Sequence, residues 1–466
     1  MVQLLQRLRG LRGQPEAAQG GYDSGTHAGN YYTVLDTGTE YVKTLICEIR
    51  GDEAAVIGAG RQRQSIRAMS EGIIADIAAV VGASEAALQQ AERMAGRSAP
   101  QAVLGISGEL VHGDAITVTT TRSDPRAPLT IHELEKLIEK AQRQAADEAR
   151  RQLSWEMGIE QIDIRLVNTA ITHVEIDGHP VINPLGFQGR HLVLTLFSAF
   201  TTLTHIGALE TVAEQLDLTP LTIVAEPYAL ARALRETAPV EIGAIFLDIG
   251  GGTTDVALVR RGGIAGARML GIGGRTFTRR LARARNIASS HAEALKRRYS
   301  RTLAERGGLR MGHMDQAAAS APMRKDERGG GHSKDHLSPS EVAAIHAALA
   351  PEVDTWVESL ELALEDLARG AALPPYIYLC GGGSALPDLT ERLRSYPWVD
   401  RLPFSRPPVI ETLHPRDVTG IFDQTGLLTT RQDITPMALA YQAIELQNEV
   451  TAIEEALYHV ASALHL

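Results

Sequence analysis

The sequence predicts an α/β fold in which strands run into glycine-rich turns between long helices, and three stretches carry that prediction. Ile245-Phe246-Leu247-Asp248-Ile249 is an apolar run holding an acid, followed by Gly250-Gly251-Gly252-Thr253-Thr254-Asp255 and a second apolar run to Val259. This reads as strand, tight turn, strand: a hairpin whose loop is stripped of side chains. Tyr32-Thr33-Val34-Leu35-Asp36 followed by Thr37-Gly38-Thr39 repeats the grammar, and another strand follows from Tyr41 to Ile49. Far downstream, Tyr376-Ile377-Tyr378-Leu379-Cys380 runs into Gly381-Gly382-Gly383-Ser384. Glycines let the backbone approach a ligand closely and turn successive N–H groups into one concavity, which suits phosphate. The threonine hydroxyls add donors. Asp248, at the end of a buried strand, is placed to hold a hard cation through water.

Together these stretches resemble the phosphate-1, phosphate-2 and adenosine motifs of the actin-like ATPases. The resemblance implies two lobes of ribonuclease-H-like type around a nucleotide cleft, each lending one hairpin to the phosphates of ATP. It places Asp36, Thr37, Gly38 and Thr39 in the first hairpin and Gly250, Gly251, Gly252, Thr253 and Thr254 in the second. Gly381, Gly382, Gly383 and Ser384 fall at the adenosine, and Asp36 and Asp248 hold Mg2+ through water. Lys43, seven residues past Asp36, either reaches the phosphates or is a solvated lysine on a strand.

At 466 residues the chain suits about three domains or one large two-lobed body. With 44% hydrophobic and 22% charged residues it is an ordinary globular protein, and a net charge of -10 argues against nucleic-acid binding. Its two cysteines, Cys47 and Cys380, lie in apolar strands and read as buried thiols of a reducing compartment. No apolar run is long enough to span a membrane, which predicts a cytoplasmic protein unless something tethers it.

Residues 1–30 read as a basic amphipathic helix and a flexible tether. Leu4, Leu5, Leu8 and Leu11 share one helical face, with Arg7, Arg9 and Arg12 on the rest. Such a helix suits an anionic membrane surface, or is merely a basic start. Residues 31–101 form the first part of the first lobe, with Asp76 opening a long helix. Residues 102–190 form a small αβ subdomain inserted in the first lobe, in which Thr130 and Glu133 make a capping box. Residues 191–240 complete the first lobe, and residues 241–434 form the second. Gly273 and Gly274 open a helix whose N–H groups can meet phosphate. His291-Ala292-Glu293-Ala294-Leu295-Lys296 resembles a helical stretch of the actin-like ATPases, which implies that Glu293 and Lys296, one turn apart, face the ribose and base; the alternative is a surface ion pair. Arg279, Arg280, Arg283, Arg285, Arg297 and Arg298 make this region basic, most simply as a solvated face. The stretch 304–339 lacks apolar periodicity and reads as a mobile insertion. Residues 435–466 read as one C-terminal helix, with a seam of Leu446, Val450, Ile453, Leu457, Val460 and Leu464 for self-association or packing on the body.

Gly72-Ile73-Ile74-Ala75-Asp76, Gly105-Ile106-Ser107-Gly108 and Asn183-Pro184-Leu185-Gly186 narrow the resemblance to the bacterial cell-division FtsA family. It implies an ATP-binding protein that polymerises and links a division or envelope machine to the inner face of the cell membrane. Its partners would be itself and an FtsZ-like or other division protein. FtsA typically ends in a basic membrane helix, whereas this tail is acidic, so any anchor shifts to the N-terminus. A weak ATPase at most is implied, with Asp248 at the metal. Counting back from Glu226-Pro227 places a water-activating position near His205, which is otherwise a surface histidine on a helix. The alternative is a PilM-like scaffold that binds ATP and a short peptide from a membrane partner.

Overall fold

A computed structural model describes residues 30–235, 237, 242–308, 336–447 and 452–464. The first lobe begins with an antiparallel meander of β1 (Tyr31–Thr37), β2 (Tyr41–Arg50) and β3 (Glu53–Arg63). Short strands β4 (Met69–Ser70) and β5 (Ile73–Ile74) lead to helix α1 (Ile77–Ala95). Asp76 caps this helix by accepting from the Ala79 N–H at 3.0 Å, and Gly96, at φ 67°, ends it. β6 (Gln101–Ile106) then returns parallel to β1.

The chain next builds the inserted unit: β7 (His112–Thr121), α2 (Ile131–Met157), β8 (Ile164–Ile176), β9 (His179–Pro180) and β10 (His191–Thr202). α2 starts at the Thr130–Glu133 capping box, and its Leu134, Leu137, Ile138 and Ala141 pack on the sheet. α3 (Leu203–Gln215), β11 (Thr219–Ala225) and α4 (Glu226–Ala233) close the first lobe, with β11 parallel to β6.

The second lobe repeats the plan. β12 (Ala244–Ile249), β13 (Thr254–Arg260) and β14 (Gly263–Leu270) form the meander. Helices α5 (Gly274–Arg285), α6 (Ser289–Gly308) and α7 (Pro339–Ala368) follow, then β15 (Tyr376–Cys380), parallel to β12. α8 (Pro387–Ser395), α9 (Trp398–Arg401) and β16 (Val409–Thr412) complete it, before β17 (Ile421–Asp423) joins β3. The strand order β11-β6-β1-β2-β3 in one lobe matches β16-β15-β12-β13-β14 in the other. β12 is buried along its whole length because helices cover both faces, so its sequence is continuously apolar up to Asp248. Trp356 of α7 is fully buried and donates from Nε1 to the Thr254 hydroxyl at 3.0 Å. One cysteine lies in each lobe, Cys47 in β2 and Cys380 in β15, both fully buried, and burial raises both thiol pKa values, Cys47 to about 12. Arg279, Arg283, Arg285 and Arg297 lie exposed on α5 and α6.

Several boundaries differ from the sequence reading. Residues 102–106 lie in β6, an apolar strand at the centre of the first-lobe sheet, so the inserted unit begins after Ile106. β10 pairs with β7 and β8, so the unit runs on to Thr202 instead of stopping at Arg190. Its sheet also continues the second lobe's, because Gly113 and Asp114 of β7 pair with Ala267 and Gly266 of β14. A single nine-stranded sheet results. Arg268 fastens this joint: it donates to Asp114 at 3.1 Å, to Asp366 at 2.7 Å and to the Gly113 carbonyl at 3.0 Å.

The C-terminal segment is described in two helical stretches, α10 (Ile434–Gln447), packed on the first lobe, and α11 (Ala452–Ala463), with 448–451 outside the described residues. Ala456, Leu457 and Val460 of α11 are buried against α2 and the inserted sheet. Residues 1–29 and 309–335, where the sequence reading put an anchor helix and most of a mobile insertion, lie outside the described residues. Residues 304–308 belong to α6, and Pro339 begins α7 behind a Ser338–Glu341 capping box. Among the described residues no helix is long and apolar enough to cross a membrane.

Candidate functional site

The two hairpins meet at the centre of the molecule. Register sets the first: Asp36 on β1 lies opposite Lys43 on β2, and the Lys43 ammonium donates to Asp36 Oδ2 at 2.8 Å. Lys43 is mostly buried and not solvated. Burial works against its charge, yet Asp36, and more weakly Asp248, hold its pKa above the ordinary lysine value. In the second hairpin, Asp248 lies opposite Asp255, and the Gly250 N–H closes the turn on the Thr253 carbonyl at 2.9 Å. Asp248 Oδ2 also accepts from the Thr435 hydroxyl of α10.

Burial raises the pKa of Asp248, and Asp36 adds to the rise. Asp255 is raised further, by burial and by Asp248, and its Oδ1 is buried without a hydrogen-bond partner among the described residues. The structure adds a residue that the sequence reading did not select. Glu226, the first residue of α4, is buried and raised well above the carboxylate range, first by burial and then by Asp36, Asp255 and Asp248. Gly105 makes room for it: a Cβ there would lie 3.1 Å from Glu226 Oε1. An acid just before Pro227, one strand from a glycine, was the available signal.

His205 lies near the start of α3, beside Gly72. Its Nδ1 is 3.2 Å from the Thr201 hydroxyl, and it is buried, not a surface residue. Burial pulls its pKa down to about 4, against the opposing pull of the Gly72 carbonyl.

The glycine turns divide by role. A Cβ at Gly250 would make ordinary van der Waals contact with the Thr253 carbonyl oxygen, at 3.4 Å, and its hydroxyl, at 3.7 Å, so this position has room. At Gly251 it would come within 2.9 Å of Glu40 Cβ, and at Gly252 within 2.5 Å of Thr39 Oγ1, so the two turns touch across the cleft. Thr254 donates to the Ile272 carbonyl at 2.6 Å and serves the frame of the turn. Gly273 caps α5, but the helix's first N–H groups do not point at a free cradle: Gly274 and Arg275 donate to the carbonyls of Gly250 and Gly251 at 2.9 and 2.8 Å. They brace the second turn instead.

Glu293 and Lys296 pair at 2.9 Å, with Lys296 also donating to the Gly274 carbonyl at 2.6 Å. Burial pushes Glu293 up, but Lys296, Thr278 and Arg297 outweigh it and bring the pKa to about 2. Burial is the main reason that Lys296 falls below the ordinary lysine value. This pair therefore reaches the floor of the second turn. The third loop packs behind Asp248. Gly381 adopts φ 78°, which favours glycine, and a Cβ there would collide with Asp248 Oδ1. Ser384 turns its hydroxyl inward to the Gly381 carbonyl at 2.7 Å. Gly382 stays open, its nearest neighbour being Gln432. Gly383 packs on Ile249.

A family model described as Cell division protein FtsA matches residues 245–419. FtsA of Pseudomonas aeruginosa is 26% identical over 284 residues, which is 60% of this chain and 64% of that protein, less than two thirds of its length. FtsA of Rhizobium meliloti is 26% identical over 377 residues, 78% of each chain. A solved structure of the PilM-PilN type IV pilus biogenesis complex shares the fold, with a TM-score of 0.58 at 18% identity over 89% of this chain and 98% of that one. The family match spans the second hairpin, α5 to α8 and the third glycine loop, the parts that here surround Asp248. With two lobes of one plan closing on paired acid-ended hairpins, the chain has the actin-like ATPase fold and is similar to the FtsA cell-division proteins.

Proposed function

We propose that this protein binds ATP with Mg2+ between Asp36–Thr39 and Asp248–Thr254, polymerises, and links a division or envelope machine to the cytoplasmic membrane. One observation supports the nucleotide part above all: four acids, Asp36, Asp248, Asp255 and Glu226, are buried together around Lys43. Buried like charges are costly, and a divalent cation relieves that cost. Among the described residues no three such side chains converge to ligate an ion directly, so Asp36 and Asp248 would hold it through water. Mg2+ when bound neutralises phosphate charge. The room at Gly250 admits a phosphate oxygen, and Glu226 is the group suited to orient a water or keep a proton. The expected turnover is weak.

Calorimetric titration with ATP and Mg2+ tests the site. The intact chain should bind, and Gly250→Val, whose side chain takes up that room, should lose about a hundredfold in affinity, about 2.7 kcal/mol, with its melting temperature unchanged. Equal affinity in both proteins contradicts the assignment. The membrane part rests on Leu4, Leu5, Leu8, Leu11 and the interleaved arginines. Deleting residues 1–13 should release the protein from anionic liposomes, and unchanged co-sedimentation places the anchor elsewhere. A PilM-like scaffold would instead bind a membrane protein's short peptide without sedimenting as polymer.

A further inference from the structure

Arg275 belongs to the second lobe, yet among the described residues its side chain donates its hydrogen bonds to the first. Nη2 donates to the Thr39 carbonyl at 2.6 Å, Nε to Glu40 Oε2 at 2.9 Å, and Nη1 to the Ile66 carbonyl at 3.2 Å. Its own backbone N–H braces the second phosphate turn at Gly251. Glu40 is fixed in turn, by Arg63 at 2.8 Å through its side chain and by the Gln64 N–H at 2.9 Å through its carbonyl. Arg275 and Glu40 are each about four-fifths buried, so solvent screens the pair weakly. Beneath the guanidinium the turns already touch, Gly251 on Glu40 and Gly252 on Thr39.

We infer that Arg275 and Glu40 form a clasp across the cleft. It holds the two phosphate turns together and has to let go for phosphates to pass between them. The idea rests on the nucleotide reading only for its consequence, the exchange rate of ATP; the contacts themselves do not depend on it. Arginine suits the task because its planar fork donates in several directions at once, to a carboxylate and to carbonyls. Lysine, a single point charge, could keep the pairing with Glu40 but not the carbonyl contacts.

Hydrogen–deuterium exchange on the nucleotide-free full chain decides it. Local opening sets the exchange of amides in such turns. In Arg275→Ala, amides within 37–42 and 250–254 should exchange about tenfold faster, the factor that about 1.4 kcal/mol supplies. Arg275→Lys should fall between. Arg63→Ala removes a partner of Glu40 that does not cross the cleft and should leave the second turn unchanged. Equal exchange in Arg275→Ala and the intact chain overturns the clasp, as does an equal gain in Arg63→Ala. Stopped-flow release of a fluorescent ATP analogue adds the consequence: about tenfold faster release from Arg275→Ala. An intact chain that takes up no nucleotide sinks the proposed cofactor, while the exchange comparison still judges the clasp.

Discussion

His205 shows what burial does to one residue. With its pKa near 4 in the folded chain, it stays neutral where an unfolded histidine at about 6.5 takes up a proton. Between those values the unfolded chain binds more protons, so stability falls as pH falls through the window. At 1.36 kcal/mol per unit the loss approaches about 3 kcal/mol near pH 4. His205→Gln should flatten this part of the acid slope in urea titrations at pH 7, 5.5 and 4, and an unchanged slope contradicts the account. The buried acids work the other way. Glu226 and Asp255 have raised values, so their contribution is full below the unfolded carboxylate range and is lost as pH rises above it. The placement of Asp36 and Asp248 at matching hairpins was legible in the sequence because each acid lies at the end of an apolar strand before a glycine turn; for Lys43 the sequence allows two readings. Glu226 was not legible. Its reach to the acids depends on the bare Gly105 in the neighbouring strand, and counting along the chain cannot see across a sheet.

At the scale of elements, caps were the most readable feature. Asp76 and the Thr130–Glu133 box mark helix starts by local chemistry alone. The tail was harder. The heptad spacing runs through described parts that pack on different bodies, α10 on the first lobe and α11 on the inserted unit, which spacing alone does not reveal. Leu457, 2% exposed, sits among Leu134, Leu137 and Ile138. Leu457→Asp leaves a buried charge where a methyl pair was, and should cost about 3–5 kcal/mol in chemical unfolding. Its mass in light scattering should stay that of the intact chain, and a change in oligomer size without loss of stability would restore the self-association seam.

For the whole molecule, the duplicated plan of the lobes was visible because each lobe repeats an acid-ended hairpin. The joining of sheets was not. Asp114 meets Gly266 across more than a hundred and fifty residues of sequence, through two residue pairs and one arginine, and no local pattern encodes such a partner. The placement of Cys47 and Cys380 has a practical outcome. Each lobe conceals a single thiol, fully buried and held in its protonated form, and thiolate is the form that reacts. A maleimide dye should therefore leave the native chain unlabelled near neutral pH and mark each lobe only as it opens. ATP with Mg2+ should slow both labelling rates, because a ligand bound between the lobes favours their closed form. Mass spectrometry of the two cysteine peptides reads them apart, and labelling of either thiol within the dead time would contradict its burial. The unmodified sequence thus already contains two separate clocks for the breathing of its halves.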